Sequence, residues 1–344
     1  MEYLFFTGTP LYDNDISNNP LNWIALAFAL VLNYFRNPYL AYSLLIAVQI
    51  FLMGWFTYIA ARKVFGLIPA IAYIPAIIYM LNMGQMERVA WMPGGFVIAP
   101  LLILCAHNIA DNRVFFYSVL SGLLQACGYF CGSLMASGWA ALIFVYFLGF
   151  FLFLKNGLTL AFWKKALAGM AITYAVFAVL TAVVLVPFFH NISLYHNLAD
   201  RAVKISLTRL INPDVLREAF SEVFCSNLFC FQGYVSTATH NFTLLSREMS
   251  ERLSLFFGTI WNYWTVLFYP LAIIFFCNVR SFSKKELAVP FLIVLFYAHF
   301  FLSSFTWVAY IELKLLMGRA LLVKLQTMMQ LAGGLFAGIF LHMV

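Results

Sequence analysis

The chain has 344 residues, of which 64% are hydrophobic and only 10% charged, and its mean hydropathy is +0.90. Soluble domains carry about 25% charged residues and roughly 45–50% apolar ones, so a water-soluble globular enzyme is excluded and an all-α, polytopic transmembrane helix bundle is expected. The formal net charge of +7 does not point to nucleic acid, because the Lys and Arg residues stand in ones, twos and threes beside apolar runs.

A spanning helix needs about 20 mostly apolar residues, since lipid offers no partner to backbone N–H and C=O groups. About 9–10 such spans fit the chain. After a polar start at 1–20, the short apolar run 21–35 lies between Asn18-Asn19-Pro20 and Asn37-Pro38 and is expected to be an interfacial or re-entrant helix. Residues 38–61 form the first expected span, ended by Arg62-Lys63. The run 64–81 follows after a tight turn and carries Pro69 and Pro75. Further spans are expected at 89–106, 115–133, 134–154 and 166–189, and their short breaks make neighbours antiparallel. The one long polar stretch, 190–252, is the expected external subdomain, and spans at 253–277, 287–308 and 325–344 complete the chain. Three regions result: an N-terminal membrane region at 1–189, the external loop at 190–252 and a C-terminal membrane region at 253–344.

Orientation follows from the excess of basic residues in short cytoplasmic loops. One side takes Arg62, Lys63, Arg113, Lys155, Lys164, Lys165, Arg280, Lys284 and Lys285, and the other takes Arg36, Arg88, Lys314, Arg319 and Lys324. The first set is larger, which places 1–20 and 190–252 outside.

The external face then gathers Asp13, Asp15, Glu87, Arg88, His190, His196, Asp200, Arg201, His240, Glu312, Lys314 and Arg319. Asp13 and Asp15 read either as a solvated Asx-rich turn or as a carboxylate pair for a divalent cation or general-base work. Lys314 and Arg319 read either as interface anchors or as a phosphate clamp, and Glu87-Arg88 as anchors in a short loop. His190, His196 and Asp200 permit metal binding at an irregular spacing. Cys225 and Cys230 are a disulfide pair or two free thiols, and Asn191-Ile192-Ser193 and Asn241-Phe242-Thr243 match the glycosylation acceptor pattern. No Walker, zincin, nucleophile-elbow or dinucleotide motif is present in the sequence.

The order of features over the first hundred residues is more specific. Phe6-Thr7-Gly8-Thr9-Pro10, then Asn19-Pro20-Leu21-Asn22, then Pro38-Tyr39-Leu40-Ala41-Tyr42 resembles the front of bacterial YfhO-like membrane proteins, which group with the GT-C-type glycosyltransferases. Gly54-Trp55-Phe56-Thr57-Tyr58, Arg62-Lys63-Val64-Phe65-Gly66, Gly84-Gln85-Met86-Glu87 and Ala90-Trp91-Met92-Pro93 continue the likeness, whereas the C-terminal half is similar in architecture alone. The resemblance implies a cell-envelope glycosyltransferase in the bacterial inner membrane. Such an enzyme moves a sugar from a polyprenyl-phosphate-linked donor on the external face, with or without a divalent metal ion.

The family's first helix and acidic loop are expected to be missing here, which makes the chain a fragment, a chain with a misassigned start, or a degenerate member. Asp13 and Asp15 are the nearest substitutes for the catalytic carboxylate. Arg319, Lys314 and Arg88 are the candidate groups for the donor phosphate. A flippase or small-solute carrier, and a non-catalytic membrane scaffold, are the competing expectations.

Overall fold

The computed structural model describes residues 30–80, 93–131, 134–190, 274, 277–302 and 320–343. Regular structure within them is helical: α1 Pro38–Lys63, α2 Pro69–Met80, α3 Pro93–Ala110, α4 Val114–Phe130, α5 Leu134–Asn156, α6 Leu160–His190, α7 Ala288–Leu302 and α8 Ala320–Met343, with a 3-10 turn at Val279–Ser281. Three stretches are long and apolar enough to cross a membrane, Tyr39–Lys63, Ser137–Asn156 and Leu160–Val183. The chain is accordingly a helical membrane protein. The expected span at 253–277 and the expected external loop at 190–252 lie outside the described residues, apart from His190, Ile274 and Cys277.

Local chemistry sets the helix ends. Asn37 caps α1, its Oδ1 accepting the N–H groups of Tyr39 at 3.0 Å and Leu40 at 3.2 Å, while Pro38 supplies a preset φ in the first turn. At the other end Gly66 takes a φ of +72°, the Leu67 N–H returns to the Ala61 carbonyl, and the Arg62 guanidinium donates to the Leu67 carbonyl at 3.1 Å. Residues 64–68 therefore form a turn, and α2 is shorter than the span expected over 64–81. Its 12 residues rise about 18 Å, less than the roughly 30 Å of hydrocarbon.

Two prolines sit inside helices, Pro75 in α2 and Pro100 in α3. Pro100 has no N–H for the carbonyl four residues back, that of Phe96. Tyr79 of α2 fills the gap, its hydroxyl donating to the Phe96 oxygen at 2.8 Å in a fully buried contact. That bond joins the end of α2 to the start of α3, so α3 runs antiparallel to α2 and parallel to α1. Elsewhere, hydroxyls inside apolar helices turn back on their own backbone: Thr57 to Met53, Ser121 to Tyr117 and Thr181 to Phe177, each at 2.7 Å.

The main core lies between α3 and α5, where Phe96, Ile103 and Ile109 meet Phe144, Phe147 and Leu152, with Leu292 and Phe296 of α7 and Leu331, Leu335 and Phe336 of α8 closing it. Helices approach closely at glycines. A Cβ on Gly94 of α3 would collide with the Gly128 carbonyl oxygen of α4, and Gly334 and Gly338 of α8 fit against Ile78, Pro75 and Leu67. The outer faces are apolar as well. Only 22% of the Leu160–Val183 stretch is buried within the protein, and Leu160, Trp163, Leu167, Val179 and Val183 of α6 are exposed. That surface suits lipid and would be a liability in water.

Candidate functional site

Chain direction brings one end of every described helix hairpin to the same level. The C-termini of α3 and α5 and the N-termini of α4, α6 and α7 meet there, as cross-links between them show, and α1, parallel to α3, ends toward the same level. The Lys155 ammonium donates to Asp111 at 2.8 Å, that of Lys165 donates to Asn112 at 2.7 Å, and the Tyr146 hydroxyl donates to the Ala288 carbonyl at 2.9 Å. This end carries Arg62, Lys63, Arg113, Lys155, Lys164, Lys165, Arg280, Lys284 and Lys285, nine basic residues among those described. Against them stand Asp111 and Glu286. Arg36 and Lys324 lie toward the opposite end. Basic residues scattered in the sequence are thus gathered in space.

The α3–α4 turn organises the cluster. Asn112 sits at φ +73°, a left-handed conformation that Asn tolerates better than most side chains. The Asn112 N–H bonds to the Ile109 carbonyl and that of Arg113 to the Asn108 carbonyl, closing α3 tightly before α4 begins. This turn presents Asp111, Asn112 and Arg113 outward in sequence. Asp111 meets Lys155 at the end of α5 and, at 3.3 Å, the Nδ1 atom of His107 one helical turn back. His107 also stands edge-on to Phe151, with ring centroids 5.3 Å apart.

The hydrogen bond from Lys155 holds the Asp111 carboxyl below the usual carboxylate value, and partial burial opposes this. His107, just beyond the apolar run 89–106, is pushed below the ordinary imidazole value by burial first and by the Lys285 charge second, although Asp111 pulls the other way. A lowered pKa leaves this imidazole neutral at pH 7. Its contact with Asp111 is then a hydrogen-bonding contact of a neutral ring, and the ion pair belongs to Lys155 and Asp111. Burial also lowers the Lys285 ammonium, an effect that Asp111 and Glu286 partly offset. Glu286 itself accepts the Ser283 N–H at 2.7 Å and so caps the turn leading into α7.

Asp13, Asp15, Arg88, Lys314 and Arg319, the residues the sequence nominates for catalysis and phosphate binding, all lie outside the described residues. So do Glu87, His196, Asp200, Arg201, His240, Glu312, Cys225 and Cys230, and of His190 only the backbone at the end of α6 is described. The sequence nominated none of His107, Asp111 and Asn112, and it placed Lys285 only among the basic loop residues that set the orientation. The His107/Asp111 spacing of four residues was the available signal for one pair. Among the described residues no group of three or more His, Cys, Asp and Glu is arranged to hold a metal ion. Of the two carboxylates at the basic end, Asp111 is engaged by Lys155 and Glu286 by the Ser283 N–H.

Comparison with known proteins returned no matching family model, no matching curated protein and no matching solved structure.

Proposed function

We propose that the chain is a multi-pass integral membrane protein of the bacterial inner membrane with its basic end in the cytoplasm, and that it transfers a sugar from a polyprenyl-phosphate-linked donor at the external face. The orientation rests on one observation, the nine basic residues collected at one level of the described helices against two acidic ones. Such an excess marks the cytoplasmic side. The chemistry rests on the likeness of the first hundred residues to YfhO-like proteins of the GT-C type. In that reaction Asp13 or Asp15 takes the proton from the acceptor hydroxyl. Arg319, Lys314 and Arg88 balance the charge developing on the departing phosphate.

Two measurements test the parts separately. In a background lacking the six native cysteines, a cysteine at Asn156 is expected to react with an impermeant maleimide only after the membrane is opened, and a cysteine at Arg36 in intact cells. The reverse pattern overturns the orientation. Sugar transfer from a radiolabelled polyprenyl-phosphate donor should fall at least a hundredfold, on the order of a lost general base, in Asp13→Ala/Asp15→Ala. Unchanged turnover in that variant and in Arg319→Ala removes the assigned roles.

A carrier for a lipid-linked or small solute is the second reading, favoured by buried polar atoms within apolar helices. Gln125 Nε2 of α4 and Ser137 Oγ of α5 are buried with no hydrogen-bond partner among the described residues. Polar groups at such depth line solute paths in many carriers. Substrate uptake into vesicles that is abolished by Gln125→Leu would favour this second reading over transfer chemistry.

A further inference from the structure

We propose that the α3–α4 turn and the first turns of α6 bind the phosphate headgroup of an anionic membrane lipid, with Arg113 and Lys165 on the phosphate and Phe115, Phe116 and Trp163 beside the acyl chains. The inference needs the chain to lie in a membrane but does not depend on sugar transfer.

The Lys165 ammonium is fixed at 2.7 Å from Asn112 Oδ1, which sets it beside the turn that carries Arg113. Two positive charges are thereby held at one turn, with Lys164 next in sequence. Asn112 is a neutral acceptor and balances none of this charge. The carboxylate of the same turn, Asp111, is engaged by Lys155, and the second acid of this end, Glu286, caps its own turn. No ion pair to Arg113, Lys164 or Lys165 occurs among the described residues. Like charges gathered at a membrane boundary are costly unless an anion or water joins them. Lys165 retains two donors after its bond to Asn112, and Arg113 offers a planar fork suited to phosphate.

Position adds to the charge. The Thr173 hydroxyl donates to the Ser118 carbonyl at 3.1 Å, and Tyr129 and Phe130 pack near Phe177, so α4 and α6 run parallel with both N-termini at this end. Their free first-turn N–H groups add partial positive charge toward the same level.

The neighbours distinguish a lipid from a free phosphate. Phe115 and Phe116, two and three residues after Arg113, are 73% and 65% exposed, and Trp163 directly precedes Lys164 and is 53% exposed. Leu160 and Leu167 extend the same exposed stripe of α6. Aromatic side chains at a basic rim match the boundary between headgroups and acyl chains, where Trp is enriched. A soluble anion gains nothing from that surface, whereas a phospholipid uses both parts of it. Basic pockets between membrane helices select acidic headgroups on the same grounds.

The test is native mass spectrometry of the full chain in neutral detergent, with phosphatidylglycerol, phosphatidylcholine of the same acyl chains, or inorganic phosphate added. Phosphatidylglycerol is expected to remain bound at energies that strip phosphatidylcholine. Each basic residue at an anionic surface is worth on the order of fivefold in affinity, so Arg113→Gln/Lys165→Gln should weaken phosphatidylglycerol binding roughly 30-fold. Lys284→Gln, a charge removed elsewhere at the same end, should leave it unchanged. Equal retention of the two lipids overturns the proposal, as does full retention of phosphatidylglycerol by the double variant. Displacement of the lipid by inorganic phosphate at equal concentration assigns the site to free phosphate and overturns it too. Arg113 makes no side-chain cap bond to α4, which makes Arg113→Gln mild for folding. Should the double variant still fail to fold, a benzophenone side chain at Phe116 in the otherwise native chain decides the matter. Capture of phosphatidylglycerol in preference to phosphatidylcholine supports the site, and equal or no capture refutes it.

Discussion

Replacing Tyr79 with Phe removes one oxygen and leaves the ring, so its cost isolates the bond to the Phe96 carbonyl. Both residues are fully buried and the bond is 2.8 Å long. Hydrogen bonds between membrane helices are worth about 0.6 kcal/mol on average and up to about 1.7 kcal/mol. The acceptor here has lost its helical partner to Pro100, and a buried orphan carbonyl costs about 1–3 kcal/mol. We therefore expect Tyr79→Phe to destabilise the chain by about 1–1.5 kcal/mol, toward the upper end of the membrane range. The partner experiment is Pro100→Ala, which returns an N–H to the Phe96 carbonyl. In that background Tyr79→Phe should cost only a few tenths of a kcal/mol, giving a coupling of about 1 kcal/mol. Reversible unfolding of the full chain in mixed micelles, titrated with a denaturing detergent, measures all four corners of the cycle. An equal cost of Tyr79→Phe in both backgrounds would refute the link between the tyrosine and the proline.

Asp111 has a lowered pKa in the fold, so its contribution is complete above the ordinary carboxylate value and fades as pH falls through the lowered one. Lys155→Met should abolish that acid-limb dependence, and since both groups are more than a third exposed the effect is at most about 1 kcal/mol in a pH series of melting curves. His107 acts in the same direction at higher pH: its lowered pKa means the unfolded chain takes the proton first, so stability drops as pH falls through the ordinary imidazole range, and His107→Gln should flatten that step. Gly94→Ala should cost about 1–3 kcal/mol because its Cβ meets a backbone oxygen that cannot swing aside, and Gly334→Ala should cost less because it meets the Ile78 side chain. Asn112→Val, forced into a left-handed φ, should lose about 1–2 kcal/mol more than Asn112→Gly in the same unfolding assay.

Apolar runs located most helices in the sequence, because a run long enough to satisfy its own backbone has few alternatives to a helix. The expected 38–61 became Pro38–Lys63 and the expected 134–154 became Leu134–Asn156. Departures arose where hydropathy and backbone geometry diverge. Residues 64–68 are as apolar as a span interior yet turn, and the signals were Gly66 and Pro69. Lys164 and Lys165 read as loop residues, yet α6 begins at Leu160 and carries them in its first turns. Long lysine stems let a helix continue through a charge while the ammonium reaches the rim. The cluster around Asp111 was less legible, since its partners Lys155 and Lys285 come from distant parts of the chain and only packing brings them together. Its one local element, His107 four residues before Asp111, was written plainly in the sequence.

The electrostatics of the basic end bear on where a transferase would do its chemistry. A general base needs a carboxylate that is free to approach the acceptor and basic enough to take its proton. Asp111 meets neither requirement, being bonded to Lys155 and held at a lowered pKa, and Glu286 is committed to the Ser283 N–H. All the other acidic residues of the 13 in the chain fall outside the described residues, in segments that the expected topology assigns mainly to the opposite face. A transferase built on this chain would draw its base from there, and the basic end would serve orientation and lipid contact. Asp111→Asn is thus expected to leave sugar transfer within about a factor of two of the native rate, while the loss of Asp13 and Asp15 removes it. If Asp111→Asn abolished transfer and Asp13→Ala/Asp15→Ala did not, the reacting centre would have to move to the cluster of His107, Asp111, Lys155 and Lys285.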